Sequence, residues 1–411
     1  MRIFSSLKKM FTIKSMIPLI TVNILFGISN SFVVPFMSIF GIEEVGMSNT
    51  SFGIFMALSS VANVVISTYI GKISDSRIDR KTILILATTS LIIGYLGYAF
   101  IRDYYILLFI AMFVLGIASS GTPQILAFAR ESINNSNVSP KETPLFLNIF
   151  RMTFSLSWTI GPAIAAIILV HTDFRGTFMI AAGGYFIMLV LIIFFIKSNK
   201  IAKTERKPQP RLVTHLKNPF ISANVIAFIL ITAASNMNTV NMSYYVLKIL
   251  NGSKEQIGII FSIAPIFEIP FMLGMGILAT KIDNKIIIRI GALISVLYFV
   301  LLSIVDSVWQ IYLVQILSAA YISIIMGTAV SYFQDFIPNE AGTATTLFTS
   351  STRIGALLGF LLFGVFSQYM GYKFVYLLCI VFTLVALIML VIFNKNPNSE
   401  VQVTHQLTID K

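Results

Sequence analysis

The chain contains 411 residues, of which 56% are hydrophobic and 11% are charged, and its formal net charge is +12. Soluble domains carry roughly 25% charged residues, so this composition excludes an ordinary soluble enzyme or binding module. The positive charge would fit a nucleic-acid-binding protein, unless the basic residues are placed for another reason.

The apolar residues form runs of about twenty, the helix length that crosses the hydrocarbon core of a membrane. The runs are continuously apolar rather than alternating, which predicts spanning helices and not a β-barrel. The basic start of the chain leads into the first run without a small-residue cleavage site, so we expect a first span and not a signal peptide. Twelve spans are predicted, at residues 16–40, 51–71, 82–101, 105–129, 144–170, 177–196, 219–247, 256–280, 286–305, 310–335, 344–369 and 373–393.

The basic residues predict the orientation of these spans. With the N-terminus in the cytoplasm, 24 of the 29 Lys and Arg residues fall on the cytoplasmic side and 5 on the outer side. This is a strong positive-inside bias. We therefore expect a multi-pass protein of a bacterial inner membrane with both termini in the cytoplasm, and no nucleic-acid partner.

The chain contains an internal repeat. Residues 53–71 return 205 positions later as residues 258–276, and Arg151 of the fifth span is matched by Arg353 of the eleventh. Duplicated halves are the architecture of secondary transporters. The predicted domains are an N-terminal six-helix bundle at 1–196, a basic cytoplasmic linker at 197–218, a C-terminal six-helix bundle at 219–393 and a polar cytoplasmic tail at 394–411.

The turn after the second span resembles the signature loop of the major facilitator superfamily. Gly71, Asp75, Arg80 and Lys81 match that loop, whereas Ser76 stands where a basic residue is usual. The resemblance implies a cytoplasmic latch that breaks when two halves rock; the alternative is that these charges only set the topology. The predicted cytoplasmic gate comprises Gly71, Asp75, Arg77, Arg80, Lys81, Arg130, Glu131, Arg151, Asp335 and Arg353.

Three further segments indicate which family within this superfamily the chain resembles. They are residues 151–162, residues 267–270 with the sequence Phe-Glu-Ile-Pro, and residues 332–353. Together with the loop, they resemble the sugar efflux transporter family of bacterial major facilitators, over all twelve spans. The resemblance implies an all-α major facilitator fold, with twelve helices in two pseudo-symmetric six-helix bundles. It also implies export of lactose, glucose or other glycosides by proton antiport and alternating access.

Glu268 is an acid about a dozen residues into the eighth span, where the first half has Asn63. An ionisable group at membrane depth is costly and is by default a functional-site hypothesis. Because residues 109–124 of the fourth span carry no charge, we expect Glu268 to carry the coupled proton. The alternatives are a substrate ligand and a structural acid that stays neutral.

A sugar site needs neutral hydrogen-bonding groups and an aromatic surface. The seventh span supplies Asn238, Asn241 and Tyr245 at i, i+3 and i+7, which share one helix face. For each candidate the alternative is a hydrogen bond between helices, and Arg151 and Arg353 could pair with Glu131 or Asp335 instead of binding substrate oxygens. The predicted substrate-binding residues are Asn23, Asn30, Asn63, Gln124, Trp158, Asn236, Asn238, Asn241, Tyr245, Gln315 and Tyr321.

The chain carries one cysteine, Cys379, and three scattered histidines, and it lacks a phosphate loop and a nucleophile motif. We therefore expect a protein that is not an enzyme and has no cofactor and no metal site. We also expect a monomer whose partners are a sugar, protons and the bilayer. A multidrug exporter of the same fold is an alternative that the Phe- and Met-rich interior favours and the Asn-rich seventh span disfavours. A non-transporting membrane sensor is a second alternative, and uptake rather than export is a third because no motif fixes the direction.

Overall fold

A computed structural model describes residues 10–13, 15–74, 79–136, 138, 143–197, 212–278, 281–337 and 340–393. The regular elements of these residues are helices, and 11 of them are long and apolar enough to cross a membrane. One covers 50 residues, Phe146–Phe195, about twice what a crossing needs. It is interrupted at Asp173, which has φ 58 and ψ −174, so it contains two spans. The twelve predicted spans are confirmed as helical chain.

Each span receives a label in chain order. The helix Thr143–Phe195 is divided at Asp173 into α5, residues 143–172, and α6, residues 174–195. The others are α1 Met16–Ser31, α2 Asn49–Ser74, α3 Arg80–Phe100, α4 Tyr104–Asn134, α7 Pro219–Tyr244, α8 Lys254–Leu278, α9 Asn284–Ile304, α10 Val308–Phe336, α11 Ala341–Met370 and α12 Tyr372–Ile392.

The first span does not continue as one α-helix to residue 40. After α1 the chain forms a 3₁₀ turn at Val34–Phe36, with Pro35 in its first turn, and then a π-helical turn at Phe40–Glu44. Proline has no amide hydrogen and its ring is incompatible with the interior of an α-helix, which accounts for the change of helix type. An apolar run in the sequence does not show this change.

The internal repeat is present in the backbone. A matching π-helical turn, Tyr245–Ile249, follows α7, 205 positions after Phe40–Glu44. The chain then turns through a left-handed residue in each copy, Gly46 with φ 78 and Asn251 with φ 51. The hydrogen bonds that close the two turns also correspond. The two halves therefore share local geometry at this point, as well as sequence.

The described chain groups into two compact units. The first contains Met1–Glu205 and Met242–Ile269, and the second contains Arg206–Asn241 and Pro270–Lys411. The end of α7 and most of α8 therefore pack with the first six spans. Residues 198–211 of the predicted linker and the predicted tail, 394–411, lie outside the described residues. The bundle boundaries inferred from the sequence remain a prediction.

Corresponding helix pairs make corresponding contacts in the two units. In the first unit, Lys81 near the start of α3 donates to the carbonyl of Ile193 near the end of α6, at 2.7 Å. In the second unit, Arg289 near the start of α9 donates to the carbonyl of Leu390 near the end of α12, at 3.0 Å. Carbonyls in the last turn of a helix lack intrahelical donors and attract cations. In each unit, the start of the third helix is thus joined to the end of the sixth helix.

Close packing of α11 on α7 depends on glycine, and this gives a stability prediction. A Cβ at Gly359 would lie 2.5 Å from the carbonyl oxygen of Ala233, whereas a Cβ at Gly327 in α10 would meet nothing within 4 Å. We expect Gly359→Ala to lower the free energy of unfolding by about 1–3 kcal/mol, because a backbone oxygen cannot rotate away. Gly327→Ala should leave it unchanged or raise it by up to about 1 kcal/mol. Thermal unfolding in detergent measures both, and equal effects would contradict the packing.

Candidate functional site

Glu268 lies near the middle of the 25-residue helix α8, and its side chain is half-buried. Pro265 and Pro270 flank it without interrupting the helix. Neither proline supplies an amide hydrogen, so the carbonyls of Phe261 and Ile266 lack their usual i+4 donor. The helix therefore combines an acid with two backbone acceptors at membrane depth, where polar groups need a partner or a function.

Asn63 occupies the position in α2 that corresponds to Glu268. Its backbone carbonyl accepts a hydrogen bond from Ser119 Oγ of α4 at 2.9 Å. Its side-chain Oδ1 is buried and has no hydrogen-bond partner among the described residues. The corresponding positions of the two halves thus carry a carboxylate in one and an amide oxygen in the other.

The other first-half candidates differ in how their side chains are used. Asn23 is buried and donates to the carbonyl of Phe150 at 3.1 Å and to Thr153 Oγ1 at 2.8 Å, so it joins α1 to α5. Asn30 lies beside the hydroxyl of Tyr185 in α6. The structure therefore gives Asn23 a structural role in joining two helices.

Trp158 and Gln124 are placed on the remaining first-half helices. The Trp158 ring packs 6.4 Å from the ring of Phe154, and its Nε1 is buried without an acceptor among the described residues. Gln124 is buried in α4. An indole N–H is a donor only, so Trp158 presents one unused donor inside the first unit.

In the second unit Asn238 belongs to a polar cluster that connects three helices. Its Nδ2 donates to the hydroxyl of Tyr298 in α9 at 3.0 Å. The Tyr298 ring lies 5.4 Å from that of Tyr321 in α10, whose hydroxyl is 3.4 Å from Ser235 Oγ. The structure thus brings the predicted residues Asn238 and Tyr321 together through Tyr298, which the sequence analysis missed; an isolated buried tyrosine in an apolar run gives no signal.

The other predicted residues of the seventh and tenth spans are mostly buried. Asn241 is fully buried and donates to the carbonyl of Tyr372 at 3.0 Å. Asn236 bonds back to the carbonyl of Thr232 at 2.8 Å. Gln315 and Tyr245 are buried, and Tyr245 begins the π-helical turn.

Four predicted residues carry a buried polar atom that has no partner within the described part of the chain. They are Asn63, Trp158, Asn238 and Asn241, with Oδ1 or Nε1 as the unused atom. A buried polar group without a partner costs about 1–3 kcal/mol, so each such group calls for a water or a ligand. All four are neutral, and they include three acceptors and one donor.

Two residues of the predicted cytoplasmic gate lie close together. Arg80 at the start of α3 lies 3.8 Å from Glu131 near the end of α4. A Cβ at Gly71 would meet nothing within 4 Å, so this glycine does not serve a close approach between the described helices. Asp75 and Arg77 lie outside the described residues.

The basic gate residues on α4, α5 and α11 are exposed. Arg130, Arg151 and Arg353 have no carboxylate of the described residues at ion-pair distance. Asp335 accepts a hydrogen bond from Asn284 Nδ2 at 2.8 Å. In the described chain, Arg151 and Arg353 therefore form no ion pair with Glu131 or with Asp335.

Comparison with known proteins identifies the family. The sequence profile of the Major Facilitator Superfamily matches residues 19–234 and 224–408. The chain belongs to this superfamily. It is 29% identical to sugar efflux transporter A of Escherichia coli K12 over 370 residues, which cover 89% of the chain and 93% of that protein. It is 28% identical to sugar efflux transporter A of Dickeya chrysanthemi, over 86% of the chain and 89% of that protein.

A solved structure agrees on the fold. A crystal structure of a mutant of the nucleoside transporter NupG matches 92% of this chain and 99% of its own length, with a TM-score of 0.81 and 14% identity. At that identity the likeness shows the major facilitator fold alone. The chain is therefore a multi-pass membrane transporter of this superfamily and not an enzyme.

Proposed function

We propose that this major facilitator exports sugars or glycosides of the lactose or glucose type by proton-coupled alternating access. The observation that carries the proposal is the similarity to sugar efflux transporters, which extends over nine-tenths of the chain. The proposed setting is a bacterial inner membrane, with both termini in the cytoplasm. The positive-inside distribution of Lys and Arg supports this orientation.

The unused polar atoms support a neutral substrate with many hydroxyl groups. In the first unit a hydroxyl can donate to the amide oxygen of Asn63 and accept from Trp158 Nε1, and in the second unit a hydroxyl can donate to the amide oxygen of Asn238 or Asn241. The Trp158 ring adds an apolar face of the kind that suits the C–H surface of a sugar ring. Within each unit a hydrophobic substrate without hydroxyl groups would leave these amide oxygens without donors, which disfavours the multidrug alternative.

Glu268 is the proposed proton carrier. When the outer side is open, the carboxylate takes up a proton as the sugar leaves; when the cytoplasmic side is open, it releases the proton and the next sugar binds. The protein then carries a proton inward and a sugar outward in alternate halves of the cycle, so inward proton flow drives outward sugar flow. The half-buried position of Glu268 in the middle of α8 supports this role, because charging a carboxylate there depends on the state of its surroundings.

The Arg80–Glu131 pair supports a gate at the cytoplasmic ends of α3 and α4. Both side chains are partly exposed, and such pairs contribute about 0–1 kcal/mol. A pair of this strength can form and break during a transport cycle. We propose that Asp75 and Arg77 complete the gate, together with the exposed Arg130, Arg151 and Arg353.

Transport by inside-out membrane vesicles tests the function. We expect labelled lactose, or another member of a panel of glycosides, to accumulate when the vesicles are energised and to leave when an uncoupler is added. Hydrophobic dyes offered to the same vesicles serve as the control and should not accumulate. Accumulation of dyes without any sugar would contradict the proposal and would support multidrug export.

A further inference from the structure

Two basic residues that follow α7 have partners in the first six spans. Lys248, after α7, forms a 2.8 Å ion pair with Glu43. Lys254, at the start of α8, lies 5.8 Å from the centre of the Phe174 ring. Both contacts connect the segment between α7 and α8 to the first six spans, within one compact unit.

Glu43 and Lys248 occupy equivalent positions of the internal repeat. Each lies in a π-helical turn, Phe40–Glu44 or Tyr245–Ile249, and the two turns are 205 positions apart. Equivalent residues of two repeats can touch each other only close to the pseudo-two-fold axis that relates the repeats. Had both copies carried the same charge here, the pair would repel; an acid in one copy and a base in the other attract each other.

Two further contacts join the same two repeats. Ser243 Oγ donates to the carbonyl of Pro35. A Cβ at Gly258 in α8 would lie 2.6 Å from both the carbonyl oxygen of Pro162 and the Cβ of Ala166. The first two spans of the second repeat, α7 and α8, thus contact the backbone of the 3₁₀ turn after α1 and the backbone of α5. Glycine at 258 is required for the approach, because neither neighbouring atom can rotate away.

We propose that these contacts form an outer latch, which closes the path on this side of the membrane and separates whenever that side opens. The outer latch is defined as the pairs Glu43–Lys248, Phe174–Lys254 and Pro162–Gly258. Each pair joins a residue of the first repeat to one of the second. The ion pair is partly solvent-exposed, with side-chain exposures of 52% for Lys248 and 37% for Glu43, and it is therefore weak enough to open repeatedly.

The local backbone around the ion pair supports a gate that opens rather than a static interface. π-helical turns contain one extra residue per turn and are frequent at functional sites. Here both partners of the ion pair lie in such turns. The latch lies opposite to the proposed cytoplasmic gate at Arg80 and Glu131. Alternating access requires that only one of the two closures be open at a time. The proposal concerns the transport cycle and holds for any substrate.

The test measures access from the latch side to a thiol placed just behind the latch. Ser262 is 6% exposed and lies one helical turn after Gly258, further into the membrane. The parent protein carries Ser262→Cys as reporter and Cys379→Ser, because Cys379 is the only cysteine. A membrane-impermeant maleimide is applied to right-side-out vesicles, and the labelling rate of the reporter is measured without any substrate.

We expect Glu43→Gln and Lys248→Gln each to raise the labelling rate about two- to fivefold, the range of an exposed ion pair. The charge swap, Glu43→Lys with Lys248→Glu, should return the rate to within about twofold of the parent, because the pair is restored. Gly258→Ala should raise the rate more than either single change. Gly274→Ala in the same helix is the matched control, since its Cβ would meet nothing within 4 Å.

Equal labelling rates in the parent and the single charge variants would overturn the outer latch. So would a swap that labels as fast as the single variants, or a Gly274→Ala control that labels as fast as Gly258→Ala. If Gly258→Ala does not fold, the exposed charge variants still decide the question. Because no sugar is present, failure of this test is separate from failure of sugar export.

Discussion

Vesicles containing the Glu268→Gln variant are expected to show no proton-driven sugar accumulation. A membrane potential of 100 mV is worth about 2.3 kcal/mol per elementary charge. One proton exchanged for one neutral sugar could therefore hold a concentration ratio of about 50-fold. Glutamine keeps the size and hydrogen-bonding capacity of the side chain and removes its titration. The ratio should fall to about one, as it does in wild type with an uncoupler.

Two further measurements separate coupling from folding and binding in this variant. Exchange of labelled for unlabelled sugar across the membrane, which needs no proton gradient, should continue in Glu268→Gln. Asp306→Asn, which removes an exposed acid from the segment before α10, is the matched control and should accumulate sugar normally. Normal accumulation in Glu268→Gln would assign the coupled proton to another group.

The second large effect is expected from Trp158→Phe. Phenylalanine keeps an aromatic face but removes the Nε1 donor, which is buried without an acceptor in the described part of the chain. We expect the KM for sugar to rise about two- to tenfold, the value of one neutral hydrogen bond to a ligand. The free energy of unfolding should change by less than about 1 kcal/mol, because no hydrogen bond among the described residues is lost.

Asn23→Ala is the matched contrast to Trp158→Phe. Asn23 Nδ2 makes two hydrogen bonds to α5, so its loss should lower the free energy of unfolding by about 1–2 kcal/mol. Thermal unfolding and transport kinetics, measured on both variants, distinguish a structural from a binding role. A stability loss in Trp158→Phe with an unchanged KM would remove Trp158 from the proposed site.

Span number and the internal repeat could be predicted because both depend on local patterns. A run of apolar residues gives a helix of membrane length regardless of its neighbours. The break after α1 could not be predicted in the same way: Pro35 marks it, but the sequence Phe-Gly-Ile-Glu-Glu of the turn at Phe40–Glu44 does not indicate π-helical hydrogen bonding. The two spans within Thr143–Phe195 could be predicted separately, because a polar stretch around Asp173 divides the sequence into two apolar runs.

The roles of the polar residues could not be predicted from their spacing. Asn238 and Asn241 were expected on one face of the seventh span, and the structure gives their amide nitrogens partners in Tyr298 and Tyr372. Those partners are 60 and 131 positions away, so only the tertiary fold brings them together. Conversely, the Glu43–Lys248 pair follows a sequence offset of 205 positions that was already visible, but nothing local indicated that equivalent residues would meet.

The most direct test of proton-coupled sugar export is sugar-driven proton movement in proteoliposomes that contain only this protein. The liposomes enclose a pH-sensitive dye and start without a proton gradient, and a sugar gradient is then imposed across the membrane. We predict that sugar flow in one direction moves protons in the other, and that Glu268→Gln abolishes this proton movement. Sugar flow that moves no protons in wild type would contradict coupled antiport.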